Sequence, residues 1–464
     1  MIATPDPAAN DTISAIATPA GPGGIGIVRV SGPAAHAIVG GLFRPRHATA
    51  RWSPQRLYYG HIIDPETREP LDEVLVSFMP SPHSYTREDY AEINSHGGYV
   101  LLSKVLRLTV EAGARPARPG EFTLRAYLNG RIDLTQAEAV MDLIQSRSEQ
   151  GLVMASRQIQ GRLRNEIASL REAAVAVLAQ VESAIDFMEE EDTGFDPLDL
   201  LKAVRDGLLQ PIERLLAAHR RRVWVDGVGT VLAGRVNAGK SSLLNRLTDE
   251  DRAIVTPSPG TTRDVIETVL NLDGVPLRLM DTAGFRRARN PAERIGLEHS
   301  RRRLGEADLI LMVIDQSRPL ASDDLELLDY CKGRNHLVIL NKIDLPPRIG
   351  RAGEERLAAC QTVRVSALTG EGIEELHQAI KDRVLSSERG GVCSDVAPNL
   401  RHKQALENAA AAFRRALQGI QSGDPSEIVA FELQTGLDAL GGIIGEVPHE
   451  AVLDEIFSRF CIGK

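Results

Sequence analysis

Cysteine is scarce in this chain: its 464 residues include four, Cys331, Cys360, Cys393 and Cys461. None stands in a C-x-x-C pair, so neither a zinc knuckle nor a disulfide framework is indicated, and the usage suits a reducing compartment. No apolar run approaches the ~20 residues that a membrane-spanning helix needs. The opening stretch MIATPDPAAN lacks the basic, apolar or Arg/Ser-rich pattern of a targeting segment, so a cytoplasmic location without membrane contact is expected. Basic charge is not in excess either. The formal net charge is −9, so no global field draws nucleic acid. Any RNA contact has to come from local patches such as Arg220-Arg221-Arg222 or Arg301-Arg302-Arg303, and each triplet also reads as a solvated helix or strand end. No internal repeat or low-complexity tract is present.

What remains is an ordinary globular composition, 43% hydrophobic and 25% charged, in a chain too long for one core; length suggests about three domains. Three textures follow one another. Residues 1–129 mix β-like runs (TISAIAT, IGIVRVSG, EVLVSFMP) with Gly and Pro turns and an amphipathic helix, GGYVLLSKVLRLTVEAG, that ends at Gly113; this is an α+β pattern. Residues 130–221 are Ala-, Leu- and Gln-rich with apolar residues at helical spacing. Residues 222–386 alternate strand, glycine loop and helix, which predicts an α/β domain with a mostly parallel sheet. Residues 387–464 are helical again. Each helical stretch alone offers one apolar stripe with too little to pack against, whereas the two together make a bundle. The expected fold is therefore multidomain: an α+β N-terminal domain, an all-α domain, and an α/β domain inserted into it. GPGGIG (Gly21 to Gly26) spells a dinucleotide fingerprint, but a strand rather than a helix follows, so it reads as a glycine turn between strands.

GRVNAGKSS, Gly234 to Ser242, fits G-x-x-x-x-G-K-[ST] between the strand TVLAG and the helix SSLLNRL. In that context Asn237, Ala238, Gly239, Lys240, Ser241 and Ser242 form a phosphate cradle: backbone N–H groups and the helix N-terminus face the phosphates. Lys240 reaches the outer ones, and the Ser241 hydroxyl is a magnesium ligand. PLRLMDTAG then ends a strand at Asp281, positioned to hold magnesium through water, followed by Thr282, Ala283 and a phosphate-sensing Gly284. NKID supplies Asn341, Lys342 and Asp344. The Asp344 carboxylate accepts N1–H and the exocyclic amine of guanine, a donor pair adenine lacks, so the nucleotide is GTP. VRVSAL supplies Ser366 and Ala367, whose backbone N–H groups would face the guanine oxygen. Phe285, where a water-orienting glutamine often follows D-T-A-G, cannot orient water. Catalytic help is then sought from Asn237, whose side-chain oxygen suits a monovalent cation, and from Glu293, which also reads as an exposed helix charge.

The terminal FCIGK fits a C-a-a-X lipidation box badly, because Gly463 is not aliphatic and Lys464 is not a usual last residue. A frayed tail and a terminus that reaches into a site remain.

TPSPGTTRD (Thr256 to Asp264), GRVNAGKSS, DTAGFRRARNPAERIG, ARPGEFTLRAYLNGRIDLTQAEAVMDLI and the FCIGK tail together resemble the MnmE/TrmE family of tRNA-modification GTPases over nearly the whole chain. The resemblance implies a GTPase stimulated by K⁺. Asn237, the carbonyls of Thr256 and Ser258 and the side chain of Thr261 would hold that cation, and Thr262 would join Ser241 on Mg²⁺. Glu293 would position the water through a bridging contact. Pro257 and Pro259 flank Ser258 and stiffen that loop without removing a ligand. The resemblance also implies a tetrahydrofolate derivative (5-formyl or 5,10-methylene type) held by Arg29, Glu92, Arg131 and Lys464, with Cys461 nearby. It further implies an FAD-dependent MnmG/GidA-like partner and a homodimer formed through the N-terminal domain, with the GTPase domains pairing in the GTP state. The implied reaction adds a carboxymethylaminomethyl-type group at C5 of the wobble uridine of certain tRNAs. A GTP switch that binds RNA without modifying it is the rival reading; the folate residues and the tail separate the two.

Overall fold

A computed structural model describes residues 11–19, 21, 23–47, 52–186, 197–249, 268–272, 274–280, 304–385, 396–446 and 450–464. The chain divides into two compact units, Met1–Met141 with Gly441–Lys464, and Asp142–Leu440.

The first unit is built on a seven-stranded sheet of β1 (Ile13–Ile16), β2 (Gly23–Ser31), β3 (Phe43–Pro45), β4 (Leu57–Ile63), β5 (Pro70–Met79), β6 (Tyr90–Gly97) and β7 (Arg115–Pro116). Their order in the sheet is β3-β4-β5-β6-β2-β1-β7. Alternation decides the faces. Val28, Val30, Val74, Val76 and Ile93 point into a core closed by the Ala35–Leu42 and Tyr99–Glu111 helices. Arg29 and Glu92, paired across β2 and β6, take the opposite face. The glycine run corrects the sequence reading: β2 begins at Gly23, inside the run, and a register shift between Gly23 and Gly26 fits it against β6. A Cβ on Gly97 would lie 2.4 Å from the Gly23 carbonyl oxygen, so the strands approach there only because side chains are missing. Strands β4 and β6 escaped the sequence reading because tyrosine, histidine and glycine break their alternation, and β3, only Phe43-Arg44-Pro45, is too short to show any.

The second unit holds helices and a second sheet, β8 (Val228–Ala233), β9 (Thr268–Leu272), β10 (Val275–Met280), β11 (Leu309–Asp315), β12 (His336–Asn341) and β13 (Thr362–Val365), in the order β13-β12-β11-β8-β10-β9. All neighbours are parallel except the β9–β10 pair. β8 is buried throughout, as a central parallel strand covered on both faces must be. Leu232, Leu311 and Ile339 enter one core, and Val231, Met312 and Val338 the other.

Helices from both sides of this sheet in the chain pack on each other. The Leu400–Ser422 helix lies against Gln210–Ala218 and the π-helical turn Ala203–Leu209, and His219 Nδ1 donates to the Pro398 carbonyl at 2.6 Å. The α/β part is thus an insertion between paired helical segments, and the protein is multidomain as expected. Arg222 is not a solvated end: its guanidinium is forked onto Asp142 (Nη1 to Oδ2, 2.6 Å) and also bonds Asp226. Arg301-Arg302-Arg303 lies outside the described residues. Among the described residues no helix is long and apolar enough to cross a membrane.

Candidate functional site

The phosphate loop leaves β8 at Gly234, where φ is +148° and a Cβ would lie 2.2 Å from the Val313 carbonyl oxygen of β11. Only glycine turns there. It returns through Asn237 at φ +65° and Gly239 at φ +96°, where a Cβ would meet Asn341 Nδ2 at 2.1 Å. Ala238 is buried, which anchors the loop. Lys240 opens the Lys240–Asp249 helix, and its Nζ donates back to the carbonyls of Gly234 (2.7 Å) and Arg235 (2.8 Å). The ammonium therefore sits within the curl of the loop, and burial lowers its pKa. Ser241 and Ser242 are exposed in the first turn of that helix. An exposed hydroxyl at that place suits Mg²⁺, which takes few protein ligands and keeps phosphate oxygens and water. Among the described residues no three His, Cys, Asp or Glu side chains gather into a metal cage of their own.

The base-reading turns are braced onto this loop. Asn341, 1% exposed at the C-terminal end of β12, donates from Nδ2 to the Ala238 carbonyl at 2.9 Å, and its Oδ1 accepts from Ala367 N at 3.0 Å. One side chain thereby ties the phosphate loop to the turn after β13. Lys342 donates to the Asn237 carbonyl at 2.8 Å and to Asp315 at 2.6 Å. The exposed Asp344 carboxylate accepts the Ser366 hydroxyl on Oδ1 at 2.6 Å. Here the geometry differs from the expectation: Ser366 N–H donates to the Glu371 carbonyl at 2.9 Å. The Ser366 hydroxyl is bonded to the Asp344 carboxylate, and the Ala367 N–H is engaged by Asn341. The motifs did not single out Asp315, which ends β11, or Arg246, which donates from the Lys240–Asp249 helix to the carbonyls of Ala367 (3.3 Å) and Leu368 (2.6 Å). The available signal for Asp315 was its place at the C-terminal end of a parallel strand, where α/β ligand sites form.

A second constellation lies on the first sheet. Arg29 Nε donates to Glu92 Oε1 at 2.9 Å, and Tyr90 donates to the same oxygen at 3.1 Å. Burial, then the Glu92 charge against the opposing pull of Arg29, keeps the Tyr90 phenol well above its usual pKa, so it stays a donor.

The tail settles here. Phe457 and Phe460 are buried against Leu134, Ala137 and Met141, Ile462 bridges to Pro119, and Arg29 Nη1 donates to the Gly463 carbonyl at 3.1 Å. The terminus is not frayed. Lys464 is half-buried beside Arg29, Glu92 and Cys461; burial and then the Arg29 charge lower its pKa. Cys461 is exposed. Arg131 lies with its guanidinium 4.6 Å from the Tyr85 ring centroid and donates to the Tyr85 carbonyl at 3.2 Å; Tyr85 packs in the cluster that contains Tyr90. Arg29, Glu92 and Lys464 are thus brought together, and Arg131 stacks on Tyr85. Thr256, Ser258, Thr261, Thr262, Asp281, Thr282, Ala283, Gly284 and Glu293 lie outside the described residues.

A phosphate loop between strand and helix, with an N-K-x-D turn locked to it at the ends of parallel strands, defines a P-loop protein that binds guanine nucleotides. Comparison with known proteins refines this class. Residues 12–131 match the family model described as "GTP-binding protein TrmE N-terminus" and residues 134–461 that of the "MnmE helical domain". The chain is 45% identical over 458 residues to the tRNA modification GTPase MnmE of Geobacillus kaustophilus, covering 98% of this chain and 99% of that protein. It is 44% identical to the protein of the same name from Bacillus licheniformis, covering 98% and 100%. The chain belongs to the MnmE family of tRNA modification GTPases.

Proposed function

We propose that this GTPase of tRNA modification works in the cytoplasm as a homodimer with an FAD-dependent MnmG/GidA-like partner. Together they add a carboxymethylaminomethyl-type group at C5 of the wobble uridine, with a tetrahydrofolate derivative as one-carbon donor. The observation that carries the reading is the meeting of Arg29, Glu92 and Lys464 under a tail seated by its own glycine carbonyl. A carboxylate fixed by an arginine and a phenol suits the amino-pyrimidine donors of a pterin, and the basic groups around it suit a glutamate tail. Arg131 belongs to the same set in this reading. When bound, the folate supplies the one-carbon unit; the residues present orient it.

In the nucleotide cradle, Lys240 would face the outer phosphates and Ser241 and Thr262 would hold Mg²⁺, with Asp281, Thr282, Ala283 and Gly284 completing the phosphate end of the site. Asn237, Thr256, Ser258 and Thr261 would hold K⁺, which would supply positive charge where other GTPases bring an arginine. Glu293 positions the water. The division of labour follows four segments: 1–129 for folate, 130–221 and 387–464 for the helical frame and tail, and 222–386 for GTP.

The test is mass spectrometry of tRNA from a deletion strain complemented with this chain, beside GTP hydrolysis in K⁺ and in Na⁺. Complementation should restore the modified uridine, and K⁺ should stimulate hydrolysis far more than Na⁺, with Asn237→Ala flattening the response. Unmodified tRNA, or equal rates in both salts, overturns the corresponding part.

A further inference from the structure

Asp315 lies outside the loops that the nucleotide motifs name, yet its carboxylate is nearly closed off, with 9% of the side chain exposed. Oδ1 accepts from Ser317 twice, from N at 3.0 Å and from the hydroxyl at 2.6 Å. Oδ2 accepts from Lys342 Nζ at 2.6 Å, with Arg318 Nε farther off at 3.8 Å. Burial raises the carboxyl's pKa, but the Lys342 and Ser317 bonds more than offset this and the net shift is downward, so the group is ionised at neutral pH. The same Lys342 ammonium donates to the Asn237 carbonyl at 2.8 Å.

The two residues joined by that ammonium are both in the left-handed region, Asn237 at φ +65° and Lys342 at φ +67°. Asparagine tolerates this conformation; lysine seldom adopts it. Such a backbone persists where its surroundings over-determine it. A solvent-exposed ion pair would contribute little, but the Asp315 side chain is 9% exposed, so removing Lys342 strands its charge in a nearly closed place.

We propose that Asp315 is a positioning residue: it holds the Lys342 ammonium on the Asn237 carbonyl, which locks the base-reading turn to the phosphate loop and sets how long a guanine nucleotide stays bound. The proposal rests on guanine-nucleotide binding by this cradle and does not involve the folate residues.

The test uses the full chain loaded with a fluorescent N-methylanthraniloyl-GDP, chased with excess GDP in a stopped-flow instrument. Asp315→Asn keeps the shape and the Ser317 bonds but loses the charge. It should speed dissociation about tenfold, as expected for loss of one charge-assisted bond. Lys342→Met should be at least as fast, and the double variant no faster than Lys342→Met alone, since Asp315 acts through that lysine. For Asp315→Asn alone, single-turnover cleavage at saturating GTP should change less than the dissociation rate does, because Asp315 reaches Asn237 only through Lys342. If Asp315→Asn fails to fold, Lys342→Met still has to show the faster release. Wild-type dissociation in either single variant, or multiplicative effects in the double, overturns the relay. A wild-type chain that does not bind the probe overturns the nucleotide reading beneath it.

Discussion

Gly463→Ala probes the seat of the tail with one methyl group. Gly463 has φ +88°, and a Cβ there would lie 2.3 Å from the Ile16 carbonyl oxygen and 2.9 Å from Ala17 Cα. Both neighbours are backbone of β1 and the turn after it, so neither can step aside cheaply. An alanine forced into the left-handed region costs about 1 kcal/mol. If the tail lifts to relieve the clash, the Arg29–Gly463 bond is lost as well, about 1.5–3 kcal/mol for a charged donor. The tail either bears the strain or loses the bond, so docking weakens by about 1–3 kcal/mol, roughly five- to a hundredfold. Two assays read this separately. Carboxypeptidase B should release Lys464 much faster from the variant, which reports docking without any ligand. Isothermal titration with a tetrahydrofolate derivative should show affinity down by roughly five- to a hundredfold, in line with the docking loss, while GTP hydrolysis is unchanged. Lys464 release at the wild-type rate would refute the steric reasoning. Faster release with unchanged folate affinity would refute the role of the tail in that site.

Asp344→Asn should weaken GTP and admit xanthosine triphosphate, because an amide presents a donor where the carboxylate accepted; unchanged GTP affinity in titration refutes it. Glu293→Gln should slow turnover with GTP binding intact, and wild-type turnover would return Glu293 to the surface carboxylates. Asp11 and Glu121 give the first unit an acid limit. Burial pushes both carboxyls up, but Arg115 (first) and Arg125 more than offset this, so their folded pKa values fall below the ordinary 3.8 and 4.5. Their stabilisation is fully present above about pH 5 and is lost as pH drops through the folded values. Arg115→Met should therefore move the acid-unfolding midpoint upward in circular dichroism, and an unmoved midpoint would show that the network contributes nothing.

The sequence by itself determined the features written in consecutive residues. Gly234 to Ser242 is a phosphate loop because a strand, a glycine turn and a helix N-terminus follow one another within a few peptide units, and local backbone chemistry decides what they do. The insertion of the α/β part was legible from two helical stretches that each lack a packing partner. The strands whose alternation is clean, β2 and β5, were legible too. Tertiary structure alone decided which distant groups share a site. Nothing local in VIDQS says that Asp315 meets Lys342, or in MDLIQ that Asp142 waits for Arg222. Asn341 could be assigned to base recognition from NKID, but its grip on Ala238 and Ala367 required three strand ends to be brought side by side. The tail is the clearest case. FCIGK carries no periodicity and no cap, and its meaning lies in a carbonyl of Gly463 received by Arg29 from the other end of the chain. A sequence motif specifies the chemistry a segment can offer; a pairing across hundreds of residues is specified by the register of the sheet and the shape of the core, which the whole chain sets at once.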